Sequence, residues 1–207
     1  MLTRHVDDVA GRAEAVTVTR YVDLAAETSP QGVRGLCVVL PGRQYSPDAP
    51  LLFFATQVAL ARGWHVRQVW WDPAARGALE IEDEAVWVGE QLRAAAEGYD
   101  GRLVVVAKSL GTLAAPVAAD LGCPAAWLTP LLIEPLVSEA LLAYPAPQLT
   151  AIGESDPYLD RTVLAALGGR TVLVPGDHVL RVPDDPRAML AAHTEVTLAL
   201  DAWLRDR

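Results

Sequence analysis

Ala107-Lys108-Ser109-Leu110-Gly111 sets a serine between small residues placed two positions to either side. The segment directly follows the apolar run Leu103–Val106 (LVVV), and a helical pattern begins at Leu110. A strand that turns at once into a helix leaves no room for large side chains where Ala107 and Gly111 stand. It holds the serine in a strained backbone conformation, with its hydroxyl lifted above the sheet. The start of a helix also favours the negative charge that builds up during acyl transfer. Serine is a common helix cap, so a plainer use for Ser109 exists. The preceding strand and the small flanks favour a nucleophile.

Such a serine has to be carried by regular elements, and the chain supplies them in alternation. Val16 to Val22 alternates apolar and polar residues, as a half-buried strand near a sheet edge does. Leu36 to Leu40 (LCVVL) is a short continuous apolar run, expected of a strand buried on both faces. A helix is expected over Pro50 to Arg62, stopped by Gly63, then a strand over Val66 to Trp71 and a helix over Ile81 to Ala96. After Leu103 to Val106, the pattern predicts a helix over Leu110 to Leu121. It then predicts a strand at Ala125 to Leu128 and a helix from about Glu134 to Ala143. A strand at Leu149 to Ile152, a short helix at Thr162 to Leu167, a strand at Thr171 to Val174 and a closing helix over Pro186 to Leu204 complete the series. This rhythm implies right-handed strand–helix–strand units, hence an α/β, three-layer α/β/α sandwich with a mostly parallel sheet. No composition break divides residues 1–207, so a single domain is expected. In such a sheet, ligands sit at the carboxyl ends of the strands.

The stretch around Ser109 resembles the nucleophile elbow of the α/β-hydrolase superfamily, near its small dienelactone-hydrolase-like members. Ala107 stands where the first glycine of GxSxG usually does, and alanine is small enough for the turn. The resemblance spans roughly residues 35 to 205 and implies a sheet of about seven strands carrying a nucleophile, an acid and a histidine in that chain order. Asp156, in Gly153-Glu154-Ser155-Asp156-Pro157-Tyr158 after the strand at Leu149, resembles the family's acid; Glu154 and Asp160 are its rivals. His178, in Pro175-Gly176-Asp177-His178-Val179-Leu180 after the last strand, resembles the family's histidine. His5 precedes the first strand, His65 opens a strand at the wrong end of the sheet, and His193 falls within the closing helix. The expected chemistry is cleavage of a small ester or thioester through an acyl-enzyme, carboxylesterase first and thioesterase next. The alternative is a non-catalytic module of the same fold, a scaffold or a small-ligand binder.

An oxyanion hole needs two backbone N–H donors. Leu110, directly after the serine, is one candidate; Arg43 or Gln44, in the loop Pro41-Gly42-Arg43-Gln44-Tyr45-Ser46, is the other. Only Thr129-Pro130-Leu131-Leu132-Ile133 separates the strand ending at Leu128 from the next helix, which leaves no room for a lid. Gly42, Tyr45, Trp71, Leu131, Tyr158 and Val179 are candidate substrate contacts, most of them at or beyond strand ends. Lys108 joins them. The chain holds 16 arginines and this one lysine, which stands beside the nucleophile. It could face an anionic substrate group, or support the elbow by hydrogen bonds to nearby carbonyls.

Composition closes off other classes. A net charge of −9 and a pI of about 4.8, with no basic stripe, argue against nucleic-acid partners. The longest uncharged run, Ala140–Gly153, has 14 residues and two prolines, short of a membrane span. The start Met1-Leu2-Thr3-Arg4-His5 lacks the apolar stretch of a secretory signal. Cys37 and Cys123 have neither CxxC spacing nor a framework, so free buried thiols and a cytoplasmic setting are expected. No metal-ligand spacing and no phosphate-cradling glycine loop occur, so no cofactor is expected. Oligomeric state is open.

Overall fold

The computed structural model describes residues 19–26, 32–72 and 79–207. The chain forms β1 (Arg20–Leu24), β2 (Gly35–Leu40), α1 (Pro50–Ala61), β3 (Trp64–Trp70), α2 (Ile81–Ala96) and β4 (Leu103–Lys108). A tight 3-10 segment (Ser109–Ala114), α3 (Ala115–Asp120), β5 (Ala125–Leu128) and α4 (Pro135–Leu142) follow. Then come β6 (Gln148–Gly153), α5 (Arg161–Ala166), β7 (Arg170–Val174) and α6 (Pro186–Arg205).

The strands make one seven-stranded sheet in the order β1-β3-β2-β4-β5-β6-β7. All neighbours pair in parallel except β1, which lies antiparallel on β3 at the edge. Fully buried strands occupy the interior of the sheet: every residue of β2, β5 and β6 is buried. Each needs a cover on both faces. On one face, Val88 and Leu92 of α2, Leu113, Val117 of α3 and Val137 and Leu141 of α4 pack on the strands. On the other, Leu51 and Leu52 of α1 join Val196, Leu200 and Trp203 of α6. The result is the expected three-layer sandwich.

Two elements differ from expectation. The helix predicted over Leu110–Leu121 begins as a 3-10 turn and becomes α-helical at Ala115. Pro116 has no N–H to give to the carbonyl of Thr112, and its ring would clash there, so the chain winds more tightly before it. The first strand runs over Arg20–Leu24; residues 16–18 of the predicted strand lie outside the described residues. Alternation fixes which face a residue takes but not where pairing begins. His65, at the start of β3, accepts a hydrogen bond from the Ala26 amide at 3.0 Å, far from the carboxyl ends of the strands. Six residues, Thr129–Glu134, join β5 to α4. No helix among the described residues is long and apolar enough to cross a membrane.

Candidate active site

The central strand β4 ends at Lys108, and the next residue, Ser109, has a φ of +53°. A side-chain-bearing residue enters this left-handed region at a cost of roughly 1–2 kcal/mol, and tertiary packing must hold it there. That packing is visible around the turn. A Cβ on Gly111 would stand 2.8 Å from the carbonyl oxygen of Leu40 and 2.9 Å from that of Pro41, so only glycine lets the turn approach the end of β2. The Thr112 hydroxyl donates to the Ser109 carbonyl at 2.6 Å, tying the elbow shut. Ala107 is fully buried in the core.

β6 and β7 deliver two partners to this serine. His178 Nε2 lies 2.7 Å from Ser109 Oγ, and its Nδ1 lies 2.9 and 3.0 Å from the two carboxylate oxygens of Asp156. The Asp156 side chain is fully shielded from solvent and also accepts from the Tyr158 amide at 2.9 Å. The Tyr158 ring lies 4.8 Å from the imidazole, centre to centre. Of the rivals, Asp160 caps α5, accepting from the Thr162 and Val163 amides, and Glu154 is exposed. His193 is turned to the Met189 carbonyl inside α6; His5 lies outside the described residues. Ser109, Asp156 and His178 are thus brought together in a hydrogen-bonded chain in which the carboxylate can fix the imidazole tautomer and the other ring nitrogen can take the serine proton.

The histidine loop is itself stiffened by Asp177. Its carboxylate accepts from the amides of Val179 and Arg181, both at 3.0 Å, and from the Arg181 guanidinium at 3.2 Å. Burial pushes this carboxyl's pKa upward, but those donors outweigh it and hold the pKa below its ordinary value.

The loop after β2 faces the serine from the opposite side. Gly42 donates to the Tyr45 carbonyl at 3.1 Å, and the Tyr45 hydroxyl accepts from the Leu51 amide at 2.9 Å. The Arg43 guanidinium pairs with Glu84 of α2 at 2.6 Å; Glu84 is 1% exposed. Among the described residues, the amides of Arg43 and Gln44 bond to no backbone carbonyl. Leu110 stands in the first turn of the 3-10 segment, where the leading amides of a helix precede its hydrogen-bond ladder.

A cleft of about 480 Å³ opens over these groups, lined by Arg43, Gln44, Tyr45, Lys108, Ser109 and Leu110, with Leu131, Tyr158, His178 and Val179 opposite. Ile81 and Glu134 complete its wall; neither carries a motif signal, since each arrives from a distant element. Two expected contacts are not part of that wall. Trp71 turns away: its indole donates to the Gly42 carbonyl at 3.2 Å and its ring packs 5.0 Å from that of Trp87. Burying two indoles together while satisfying that N–H is favoured over lining an open cleft. Gly42 stands behind the wall, where a Cβ would meet Ser109 Cβ at 3.3 Å and Lys108 Cδ at 3.4 Å.

Lys108 is 1% exposed. No carbonyl or carboxylate among the described residues takes a hydrogen bond or ion pair from its ammonium, which rests 4.5 Å from the centre of the Tyr45 ring. The elbow therefore does not use it as a hydrogen-bond brace. Burial lowers its pKa to about 8 in spite of the opposing charges of Asp156 and Asp177. Cys37 and Cys123 are free and buried; burial raises their thiols to about 12 and about 11. Among the described residues, no three His, Cys, Asp or Glu side chains gather where they could hold a metal ion.

No protein-family model and no curated protein sequence matches the chain. Solved structures do. Est1E from Butyrivibrio proteoclasticus superposes with a TM-score of 0.72 at 11% identity, covering 99% of this chain and 98% of that one. An α/β serine hydrolase homologue from Coxiella burnetii gives 0.65 at 11% identity over 91% and 90%. XC6422 from Xanthomonas campestris, an α/β serine hydrolase without a lid, gives 0.61 at 15% identity over 95% and 98%. The chain has the α/β-hydrolase fold, in a form with no lid between β5 and α4.

Proposed function

We propose that this protein is a serine hydrolase that cleaves small esters or thioesters through an acyl-enzyme. The observation that carries the reading is the hydrogen-bonded chain Ser109–His178–Asp156, built on a serine held at φ +53°. His178 takes the Ser109 proton as the hydroxyl attacks the acyl carbonyl, then gives it to the leaving group. Asp156 stabilises the imidazolium. The amides of Leu110 and of Arg43 or Gln44 receive the oxyanion. Water, activated by His178, then releases the acid. Carboxylesterase activity is the first expectation, because the cleft is open to solvent and the β5–α4 link carries no lid.

The test is labelling of the purified protein with a fluorophosphonate, alongside Ser109→Ala and His178→Ala. Labelling in the wild type that is absent from Ser109→Ala and nearly absent from His178→Ala supports the reading. A folded wild type that does not label removes it and leaves the non-catalytic module.

A further inference from the structure

Lys108 is a buried charged group that the proposed reaction does not use and that no counter-ion among the described residues pairs. Its stem runs beside Gly42 and its ammonium sits on the face of Tyr45, and both residues belong to the loop after β2. The residue lines the cleft, one position before the nucleophile. A desolvated ammonium is stable only when compensated, and the Tyr45 ring supplies a fraction of what a counter-ion would. Of the two cations lining the cleft, Arg43 is already paired with Glu84. Lys108 has no such partner among the described residues. Its burial lowers its pKa to about 8, so it still carries its charge at neutral pH.

We propose that Lys108 receives a carboxylate on the acyl part of the substrate, so that this site acts on monoesters or monothioesters of short dicarboxylic acids. The inference rests on the hydrolase reading above. The acyl side follows from the arrangement. His178, which must protonate the leaving group, reaches Ser109 from the β7 side, whereas Lys108 lies toward β2, against Gly42 and Tyr45. A carboxylate matches the charge: one unpaired ammonium neutralises a monoanion, while a dianionic phosphate would leave excess negative charge in a cleft whose wall already carries Glu134. In the reaction, the acyl C–O or C–S bond breaks, the acyl carbon gains the hydroxyl of water, and the leaving alcohol or thiol gains a proton. The products are a dicarboxylate and that alcohol or thiol.

The experiment compares kcat/KM for monoethyl succinate, glutarate and adipate with that for ethyl butyrate, valerate and hexanoate, in the wild type and in Lys108→Met. The wild type should favour at least one anionic ester over its neutral counterpart by tenfold or more, and Lys108→Met should lose most of that ratio while still labelling with fluorophosphonate. Equal use of both series by the wild type overturns the inference, and that comparison needs no variant. So does a preference that survives in Lys108→Met, or a variant that slows both series equally. A preference seen only when the carboxylate is on the alcohol, as in the butyrate ester of glycolate, also overturns it. A wild type that labels but shows no charge preference leaves the hydrolase reading standing; one that does not label removes both.

Discussion

Gly153, the last residue of β6, lies directly beneath the loop that carries His178: a Cβ there would collide with the Gly176 carbonyl and stand 2.7 Å from that of Asp177. The acid-bearing and histidine-bearing loops are pressed together at a point that admits only hydrogen. Gly153→Ala should therefore push the histidine loop away from Ser109. A displacement of about 1 Å costs on the order of 10²-fold in rate. We expect kcat/KM on a short ester to fall by that order while the far-ultraviolet circular dichroism is unchanged; a fully active Gly153→Ala would show that the contact does not set the imidazole.

Glu84 acts through Arg43. With the carboxylate buried and the guanidinium at 2.6 Å, α2 anchors the loop proposed to carry an oxyanion donor. Glu84→Gln keeps the shape and removes the charge. Turnover should drop roughly tenfold with KM little altered, less than the about 10²–10³ expected when an oxyanion donor is deleted outright. A rise in KM alone, at constant kcat, would assign Glu84 to substrate binding.

The Lys108 ammonium should make stability depend on pH in a defined direction. Its pKa is about 8 in the folded protein against 10.5 for an ordinary lysine. Below pH 8 both states are protonated and the burial penalty is fully present. Between pH 8 and 10.5 the folded state has lost the proton and the unfolded state retains it, so stability rises with pH. Each pKa unit is worth about 1.4 kcal/mol. Lys108→Met should be more stable than the wild type at pH 7, by on the order of 3 kcal/mol. That advantage should shrink steadily toward pH 10.5 in chemical-denaturation curves. A gap constant with pH would mean that the lysine is not desolvated in solution.

The backbone of Ser109 is open to a similar check. At φ +53° glycine is comfortable and alanine is not. Ser109→Gly should exceed Ser109→Ala in stability by about 1 kcal/mol, a melting difference of roughly 2–4 °C for a chain of this size. Both should be inactive. Equal melting temperatures would argue against a strained elbow.

Much of the layering was legible because buried parallel strands announce themselves. LCVVL and LVVV have no polar side, so helices had to cover both faces, and the chemistry had to follow the strand ends. Ser109, Asp156 and His178 stood at three such ends. Other features were out of reach for physical reasons. Arg43 and Glu84 are 41 residues apart and on different elements, and nothing local marks them as partners. Trp71 was misdirected because a residue just beyond a strand end takes its direction from its neighbours. Trp87 and the Gly42 carbonyl supplied that direction. The collision surface at Gly153 depends on how closely two loops approach, which no spacing encodes.

The six-residue link from β5 to α4 also bears on the fate of an acyl-enzyme. In the proposed hydrolase that link is too short to fold a cover over Ser109, so any other acceptor must compete for the acyl group with a solvent at tens of molar. Partitioning should run almost wholly to hydrolysis, and added alcohols should capture acyl groups only in proportion to their concentration.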